Sequence, residues 1–368
     1  MNVLHYKSNF LNSSETFIRR VINNHHQFKP AAMCIHEKNY TQGLKVYQKP
    51  QAGIPYLVNT LCFHLNWCLP FYKETLKKIE PAIIHAHFGF DGYRMMKPAQ
   101  RCSIPLVVSF YGSDVSRLPN EFDWKRRYRN LAQHGNAFIA ATDHMKLRLI
   151  DLGFPKSKIT VIPFGLELEK FPFKTTQSDP KKIMMVGRMV EKKGFRYAIE
   201  AIKKLKKKEL RYTLDLYGDG ELRRSLENQV DALGIRKWVH FHGQVPIESV
   251  LEAHLHHDIL LAPSLTANDG DQEGLPNTIL EAMASGTFVI TTNHAAIGEV
   301  IKNGENGLII EEGDADALAN TIAFTESADC NMDEMRKNAR QTIEKKFKIE
   351  DVVTQIEALY KKVIKNYD

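Results

Sequence analysis

Short apolar runs alternate with amphipathic helical stretches along the whole chain, and this alternation limits the possible folds more than any other feature. Apolar strands separated by helices are typical of parallel sheets with helices on both faces. Two sets of runs therefore predict two doubly wound α/β domains. The runs of the first half are 3–6, 31–35, 83–88, 105–110, 137–141 and 159–162. Those of the second half are 183–186, 212–217, 238–241, 258–262, 287–291 and 307–310.

A polar segment at 171–182, FPFKTTQSDPKK, marks the predicted boundary, because it contains two prolines and leads directly into an apolar run. We predict a first domain at 1–172 and a second at 173–348, and 368 residues are enough for two such cores. The last helix, 349–368, carries an apolar stripe that needs a packing partner. We expect this helix to cross back toward the first domain.

The formal net charge of +7 favours an anionic partner, such as a nucleotide, a phosphorylated substrate or an acidic membrane surface. Neither zinc-finger spacing nor an aromatic RNA-binding signature is present, so we expect no nucleic acid partner. The first residues lack signal-peptide features, and polar residues interrupt the most apolar stretch, 55–72. Five cysteines without a C-x-x-C pair favour a reducing compartment, and we expect a cytoplasmic protein.

The second domain opens with a strand, a turn and a helix that suit an anionic ligand. The predicted strand ends at Val186 and is followed by Gly187, Arg188 and Lys193. Ligands bind at strand-to-helix turns of α/β sheets, and both cations are able to neutralise a diphosphate. Alternatively, both are solvated loop charges.

The stretch 265–286, LTANDGDQEGLPNTILEAMASG, leads from an apolar run into a helix at 278–284. Its start offers free backbone N–H groups from Gly274 to Asn277, and such groups bind anions. Glu281 lies one turn inside the helix and is placed to accept hydrogen bonds from a ribose diol. Glu273 precedes the helix, nearer the phosphates. Paired glutamates alone are commonly surface acids.

Several motifs together resemble one family. EGLPNTILE at 273–281 resembles the E-x7-E motif of retaining glycosyltransferases of family 4, which have the GT-B fold of two Rossmann-like domains facing across a cleft. The similarity spans nearly the whole chain. Further segments that carry it are VGRMVEKKG (186–194), LYGDGELR (216–223), FHGQVP (241–246) and VIPFGLELEKF (161–171). HAHFG (85–89), SFYGSD (109–114) and SSETFI (13–18) resemble the branch that builds exopolysaccharide, capsule and lipopolysaccharide.

The resemblance implies a nucleotide-sugar donor and assigns roles in the second domain. Gly187, Arg188 and Lys193 are expected at the donor diphosphate, Glu281 at the ribose and Glu273 at the transferred sugar. The base is expected to meet the backbone of Gln244 and Val245. Sugar hydroxyls and the distal phosphate are expected to meet Gly274, Leu275, Pro276, Asn277 and Thr278. Fixed cations and helix-end amides stabilise a diphosphate leaving group, so neither a metal nor another cofactor is required.

In the first domain, the resemblance is imperfect at one position. Many family members have a histidine where this chain has Tyr111. A phenol still donates a hydrogen bond, so Tyr111 is a catalytic candidate, but it does not carry a proton charge near neutral pH. Asp114 is expected to bind an acceptor hydroxyl, act as a base or cap the following turn. The acceptor-side candidates are Ser13, Ser14, Glu15 and His87. For the two serines the alternative is helix capping, and for His87 it is a structural role.

Asp269-Gly270-Asp271 superficially matches the D-x-D metal signature of the other large glycosyltransferase fold. It lies in a loop just before Glu273, in a domain of a different type from the one that uses this metal signature. Loop turn chemistry is the simpler explanation, and we expect no metal ligands here.

Two segments suit an anionic membrane surface. The segment 122–129, FDWKRRYR, mixes aromatic residues with four cations, and 55–72 is rich in aromatic residues and leucine. The alternative is that Trp124, Tyr128 and Leu131 form one core-facing side of a helix. We expect peripheral contact with the cytoplasmic face of the inner membrane.

The motifs together predict a hexosyltransferase-type enzyme of cell-surface polysaccharide synthesis. It is expected to move a sugar, with retention, from a nucleoside diphosphate to a lipid-linked glycan, and UDP is favoured over GDP because it is more common in the family. The alternatives are a transferase that acts on a small soluble acceptor and a non-catalytic nucleotide- or glycan-binding protein with the same fold.

Overall fold

The computed structural model describes residues 1–10, 15–37, 43–64, 69–174 and 182–367. The chain divides into two compact units, one of Met1–Gly165 with Ile349–Asp368 and one of Leu166–Lys348. The change of unit thus falls after Gly165, seven residues before the predicted boundary at 172.

The first unit is built on a parallel sheet of seven strands in the order β5-β3-β1-β6-β7-β8-β9. Its strands are β1 (Asn2–Tyr6), β2 (Asn9–Phe10), β3 (Lys29–Cys34), β4 (His36–Glu37), β5 (Lys45–Gln48), β6 (Ile83–His87), β7 (Leu106–Phe110), β8 (Ala137–Ala140) and β9 (Ile159–Val161). Its helices are α1 (Thr16–Asn23), α2 (Gly53–His64), α3 (Pro70–Ile79), α4 (Gly89–Arg101), α5 (Ser113–Ser116), α6 (Trp124–His134) and α7 (Asp143–Asp151).

The central strands of this sheet are buried on both faces. Every residue of β6, β7 and β8 is buried, which explains their continuous apolar character. The edge strand β5, by contrast, is exposed or half-buried and has the sequence KVYQ. The short pair β2 and β4 forms a separate two-stranded sheet. Neither β5 nor this pair carries an apolar run that predicts a strand.

The second unit has six parallel strands in the order β12-β11-β10-β13-β14-β15. These are β10 (Lys182–Val186), β11 (Thr213–Tyr217), β12 (Val239–Gly243), β13 (Ile259–Ala262), β14 (Phe288–Thr292) and β15 (Leu308–Ile310). Its helices are α8 (Phe195–Lys207), α9 (Arg223–Ala232), α10 (Ile247–His256), α11 (Asn277–Ser285), α12 (Ala315–Phe324) and α13 (Met332–Lys346).

The order of these strands places a ligand site. Strand β10 pairs with both β11 and β13, so the direction in which the chain adds strands reverses between β10 and β13. Ligands of open α/β sheets bind outside the carboxyl ends of the strands at such a switch point. The loops after β10 and β13, at 187–194 and 263–276, therefore meet at the expected position.

The last helix, α14 (Ile349–Tyr367), completes the core of the first unit. Its apolar stripe, which includes Val352, Ile356 and Tyr360, packs with residues of the central strands such as Val3 and Val107. Among the described residues, no helix combines the length and apolar character that crossing a bilayer requires.

Candidate active site

The loops after β10 and β13 are joined through their backbones. Leu265 N–H donates to Lys192 O at 3.0 Å. Gly194 has φ +68°, and a Cβ there would lie 1.9 Å from the carbonyl oxygen of Pro263. Only glycine allows this approach. Gly187, with φ +153°, begins the first loop, and a Cβ there would lie 3.3 Å from Lys193 Cε.

Glu273 lies between two lysines of the first loop. Its Oε1 is 3.2 Å from Lys193 Nζ and 3.8 Å from Lys192 Nζ, and its side chain is only 9% exposed. Burial by itself raises the pKa of Glu273, but Lys193 and Lys192 together hold this pKa below its ordinary value. The site therefore contains a shielded, ionised carboxylate next to two cations.

Lys192 holds the second loop in place, although no sequence motif singled it out. Its Nζ donates to the backbone oxygen of Gln272 at 3.1 Å and lies 3.0 Å from an Asp271 carboxylate oxygen. The short helical turn Glu191–Lys193 lets both adjacent lysines face this loop. The sequence does carry one sign of this role, because Lys192 and Lys193 are adjacent.

His294 and Glu312 form a hydrogen-bonded series that holds the backbone of Glu273, and neither residue was predicted from the sequence. The backbone N–H of Glu273 donates to His294 Nε2 at 3.1 Å. The other ring nitrogen, Nδ1, must then carry the proton, and it lies 2.5 Å from Glu312 Oε1. No motif connects these residues, which lie 21 and 18 positions apart along the chain.

Asp269 and Asp271 have structural contacts within their loop. Asp271 N–H donates to Asp269 Oδ1 at 2.9 Å, while Gly270 has φ +80° and donates its N–H to Ala267 O. With Asp271 paired to Lys192, these contacts are those of a turn.

Helix α11 begins at Asn277, and Pro276 is the residue before its first turn. No side chain caps this end, and first-turn N–H groups have no partner within a helix. The Oδ1 atom of Asn277 is buried and has no hydrogen-bond partner in the described part of the chain. Glu281 is 4% exposed, one turn further along. Leu275 is buried, whereas Gly274 and Thr278 are half-buried.

Arg188 contrasts with the buried lysines because its side chain is exposed. Among the described residues, none forms an ion pair or hydrogen bond with its guanidinium. Gln244 and Val245 follow β12, at the same end of the sheet, and are exposed and half-buried respectively. The structure thus brings most of the second-domain candidates to one edge of one sheet.

The candidates of the first unit have a different environment. Asp114 is 1% exposed, and its carboxylate accepts the backbone N–H groups of Tyr111, Gly112 and Gly89 at 3.0, 2.9 and 3.0 Å. Of the three roles predicted for Asp114, these contacts correspond to the capping of the turn. Glu15 is buried with its Oε1 3.4 Å from Lys7 Nζ. Ser13 and Ser14 lie outside the described residues.

Tyr111 and His87 are bonded to each other. The Tyr111 hydroxyl lies 2.6 Å from His87 Nδ1, and its ring packs against Phe17, Phe88 and Phe164. Burial raises the pKa of Tyr111. The phenol therefore remains protonated.

Three histidines of the first unit, His5, His85 and His87, bring ring nitrogens within 4.8 Å of one another. This geometry is compatible with a metal ion, although sequence spacing gave no sign of it. Nitrogens of these rings also form hydrogen bonds with one another or with Tyr111, Ser109 and Tyr360.

Comparisons with known proteins agree with the geometry. Residues 167–342 match the family model of glycosyl transferases group 1, and residues 35–170 match that of glycosyltransferase family 4. The amylovoran biosynthesis glycosyltransferase AmsK of Erwinia amylovora is 31% identical over 304 residues, which cover 77% of this chain and 73% of that protein. The chain belongs to glycosyltransferase family 4. It is a glycosyltransferase of the hexosyltransferase type.

Further relatives extend this assignment. The putative colanic acid biosynthesis glycosyltransferase WcaL of Escherichia coli K12 is 29% identical over 319 residues, covering 85% of this chain and 76% of that protein. The structure of Anabaena HepE in complex with UDP-glucose superimposes with a TM-score of 0.79 at 18% identity, covering 97% of this chain and 98% of that one. The GT-B fold prediction is confirmed.

Proposed function

We propose that this glycosyltransferase moves a sugar, with retention of configuration, from a UDP-sugar to a lipid-linked glycan during exopolysaccharide assembly. The observation that carries the proposal is the charged site at the switch point of the second unit. There an ionised Glu273, two lysines, an exposed Arg188 and an uncapped helix end occupy one sheet edge.

The charges suit the departure of a nucleoside diphosphate. Arg188, Lys193 and the first N–H groups of α11 stabilise negative charge that develops on the leaving phosphate. The Glu273 carboxylate stabilises positive charge at the anomeric carbon of an oxocarbenium-like transition state. Because Lys192 and His294 hold the loop on either side of Glu273, the carboxylate needs little reorganisation as charge develops.

Relatives favour UDP and a lipid-linked acceptor. HepE has been crystallised with UDP and with UDP-glucose. An Escherichia coli relative that is 28% identical over 340 residues is named UDP-Gal:alpha-D-GlcNAc-diphosphoundecaprenol alpha-1,3-galactosyltransferase. AmsK and WcaL are named for amylovoran and colanic acid biosynthesis.

An exposed apolar side of α2 supports membrane contact. Ile54, Leu57 and Leu61 are 76%, 64% and 58% exposed. On α3, Lys73, Lys77 and Lys78 are exposed and add positive charge. In the segment 122–129, Tyr128 is buried as a core residue, whereas Phe122 is exposed. We propose that α2 inserts its apolar side into an anionic bilayer, where each nearby lysine adds about 1 kcal/mol.

Donor and acceptor can be tested together. Purified protein is titrated with UDP and GDP in the presence of EDTA, and transfer from UDP-hexoses is measured to a polyprenyl-diphosphate-linked sugar and to the same free sugar. We expect UDP binding without metal and transfer to the lipid-linked acceptor. Selective GDP binding would refute the donor assignment. Binding without transfer to either acceptor would favour a non-catalytic binder.

Membrane contact has its own test. Sedimentation with vesicles of phosphatidylcholine and phosphatidylglycerol is compared for Leu57→Asp and for Leu147→Asp, a control on α7 that is similarly exposed at 61%. We expect Leu57→Asp to reduce binding and the control to retain it. Equal binding of both variants would remove α2 from the interface.

A further inference from the structure

A continuous hydrogen-bond path crosses the interior of the first unit and ends at the loop that begins with Tyr111. It connects strands, a loop and the last helix through neighbouring ring nitrogens. The path consists of Tyr111 Oη to His87 Nδ1 at 2.6 Å, His87 Nε2 to His5 Nδ1 at 3.0 Å, His5 Nε2 to His25 Nε2 at 3.0 Å, and His25 Nδ1 to Glu357 Oε1 at 3.0 Å.

The direction of the path is fixed at Glu357. Its Oε1 also accepts the backbone N–H groups of His26 and Gln27, at 2.9 and 3.0 Å. Burial raises the pKa of Glu357, but the hydrogen bonds from Gln27 and His25 lower it below its ordinary value. An ionised carboxylate only accepts hydrogen bonds, so His25 must donate from Nδ1.

The hydrogen bond from His25 to Glu357 determines the donor and the acceptor of each following hydrogen bond in the path. Burial lowers the pKa values of His5, His25 and His87, so all three rings are neutral and carry one N–H each. With His25 donating from Nδ1, its Nε2 accepts from His5 Nε2. His5 then accepts at Nδ1 from His87 Nε2, and His87 accepts at Nδ1 from the Tyr111 hydroxyl.

A second branch runs from Tyr360 on α14 through His85 to Ser109. His85 lies 2.7 Å from Ser109 Oγ through Nε2 and 2.5 Å from Tyr360 Oη through Nδ1. This branch therefore ends on strand β7, which leads directly into the loop that begins at Tyr111.

The two branches share an origin on α14. Glu357 and Tyr360 lie one turn apart on this helix, and each begins one branch. The first branch ends at Tyr111, whose backbone N–H is held by Asp114, and the second ends at Ser109. The last helix thereby fixes a loop that begins 246 positions before Glu357 in the sequence.

We propose that Glu357, His25, His5 and His87 are positioning residues. They make the Tyr111 hydroxyl donate its hydrogen bond to His87, and they hold the Tyr111–Asp114 loop in place for glycosyl transfer. The catalytic part of this inference rests on the proposed function. The direction of the hydrogen bonds does not depend on it.

Histidine tautomers test the direction without any assay of transfer. Nitrogen-15 NMR of the full chain at pH 7.5 distinguishes protonated from bare ring nitrogens. We expect His25 to carry its proton on Nδ1, and His5 and His87 to carry theirs on Nε2. A different tautomer at any of them overturns the path. A transition metal bound at about one ion per chain to His5, His85 and His87 also overturns it, because their lone pairs would coordinate the ion.

Variants of Glu357 test the positioning role. Glu357→Ala is expected to lower kcat about 10-fold, with UDP affinity and donor KM unchanged, and to shift the tautomer of His25. Glu357→Gln should restore most of kcat, because its amide oxygen still accepts from His25. The control is Glu350→Ala, an exposed position on the same helix.

Two results contradict the role. One is full activity of Glu357→Ala, and the other is a Gln variant no better than the Ala variant. If the Ala variant does not fold, Tyr111→Phe replaces it. This change should lower kcat while leaving the tautomers of His5 and His25 in place, because their direction is set from Glu357. Altered tautomers in Tyr111→Phe would also overturn the path.

Discussion

Two loops, one in each unit, follow central strands of their sheets and are held in opposite ways. The loop that begins at Tyr111 is fixed by neutral histidines and by a buried carboxylate that accepts backbone N–H groups. The loop that carries Glu273 is fixed by lysines and carboxylates, with Arg188 left exposed nearby. Charged side chains are concentrated in the second unit, where a diphosphate is proposed to bind. In the first unit, hydrogen bonds to histidines and to Asp114 hold the loop.

The buried histidines of the first unit predict that the protein loses stability in acid. Burial lowers the pKa values of His5, His25 and His87, and lowers that of His85 to about 3. The unfolded chain binds protons at these histidines below about pH 6.5, whereas the folded chain does not. The free energy of unfolding should therefore fall as pH decreases from 6.5 to 5, by up to about 1.4 kcal/mol per pH unit for each histidine.

Urea unfolding at several pH values measures this effect. Burial also lowers the pKa of His254, in the second unit, to about 3, so that this histidine acts in the same sense. Burial raises the pKa values of Asp91 and Asp114, which act in the opposite sense, but the five histidines outnumber these two carboxyls. His5→Phe should flatten the dependence, whereas the exposed His240 should be replaceable by phenylalanine without change. Stability that is constant from pH 6.5 to 5 would contradict the neutral cluster.

Removing a lysine should have the largest effect on the charged loop. Lys193→Ala takes away the nearest cation from Glu273 and a proposed phosphate ligand. We expect kcat/KM to fall about 1000-fold, as when one donor to a developing anion is removed. Initial rates with a UDP-sugar measure the effect, and Lys207→Ala, exposed on α8, is the control. Comparable rates for both variants would exclude Lys193 from the site.

Removing an acceptor should destabilise the neutral loop without affecting the donor site. Asp114→Asn places an NH₂ group against the backbone N–H of one of its three partners. We expect the free energy of unfolding to decrease by about 1–3 kcal/mol with UDP affinity unchanged. Urea unfolding measures the free energy of unfolding, and calorimetry measures the UDP affinity. Asp151→Asn, at an exposed position of α7, should change neither quantity.

The two loops also differ in how far the sequence predicted them. Apolar runs located the central strands because those strands are buried on both faces. Glu273 and Lys193 came from motifs whose residues are close in sequence. His294 and the path from Glu357 to Tyr111 were not predicted, since their contacts join positions 18 to 332 residues apart. A single histidine within an apolar run does not indicate its partners.

The support behind Glu273 should have a moderate effect. His294→Ala removes the acceptor for the Glu273 N–H and the donor to Glu312. We expect kcat to fall about 10-fold, with UDP affinity nearly unchanged, because the loop is displaced while the phosphate ligands remain. Steady-state kinetics measure this, with the exposed His240→Ala as control. A loss confined to UDP affinity would place His294 at the nucleotide instead.

The smallest effect is expected at the exposed cation. Arg188→Ala should weaken UDP binding about 10-fold at low salt, and less at high salt because exposed charges are screened. Calorimetric titrations at two salt concentrations measure the effect, and Arg211→Ala is an exposed control in the same unit. Equal affinity of both variants would refute the phosphate assignment of Arg188.

The most direct measurement compares Glu273→Gln with the exposed control Glu305→Gln, following sugar transfer and UDP affinity on the same preparations. Removing the charge while keeping the shape of Glu273 should reduce transfer at least about 100-fold, because the carboxylate stabilises charge only during transfer. UDP affinity should change little, since Lys192, Lys193 and Arg188 remain. Transfer at the rate of the control would contradict the charged site as the centre of catalysis.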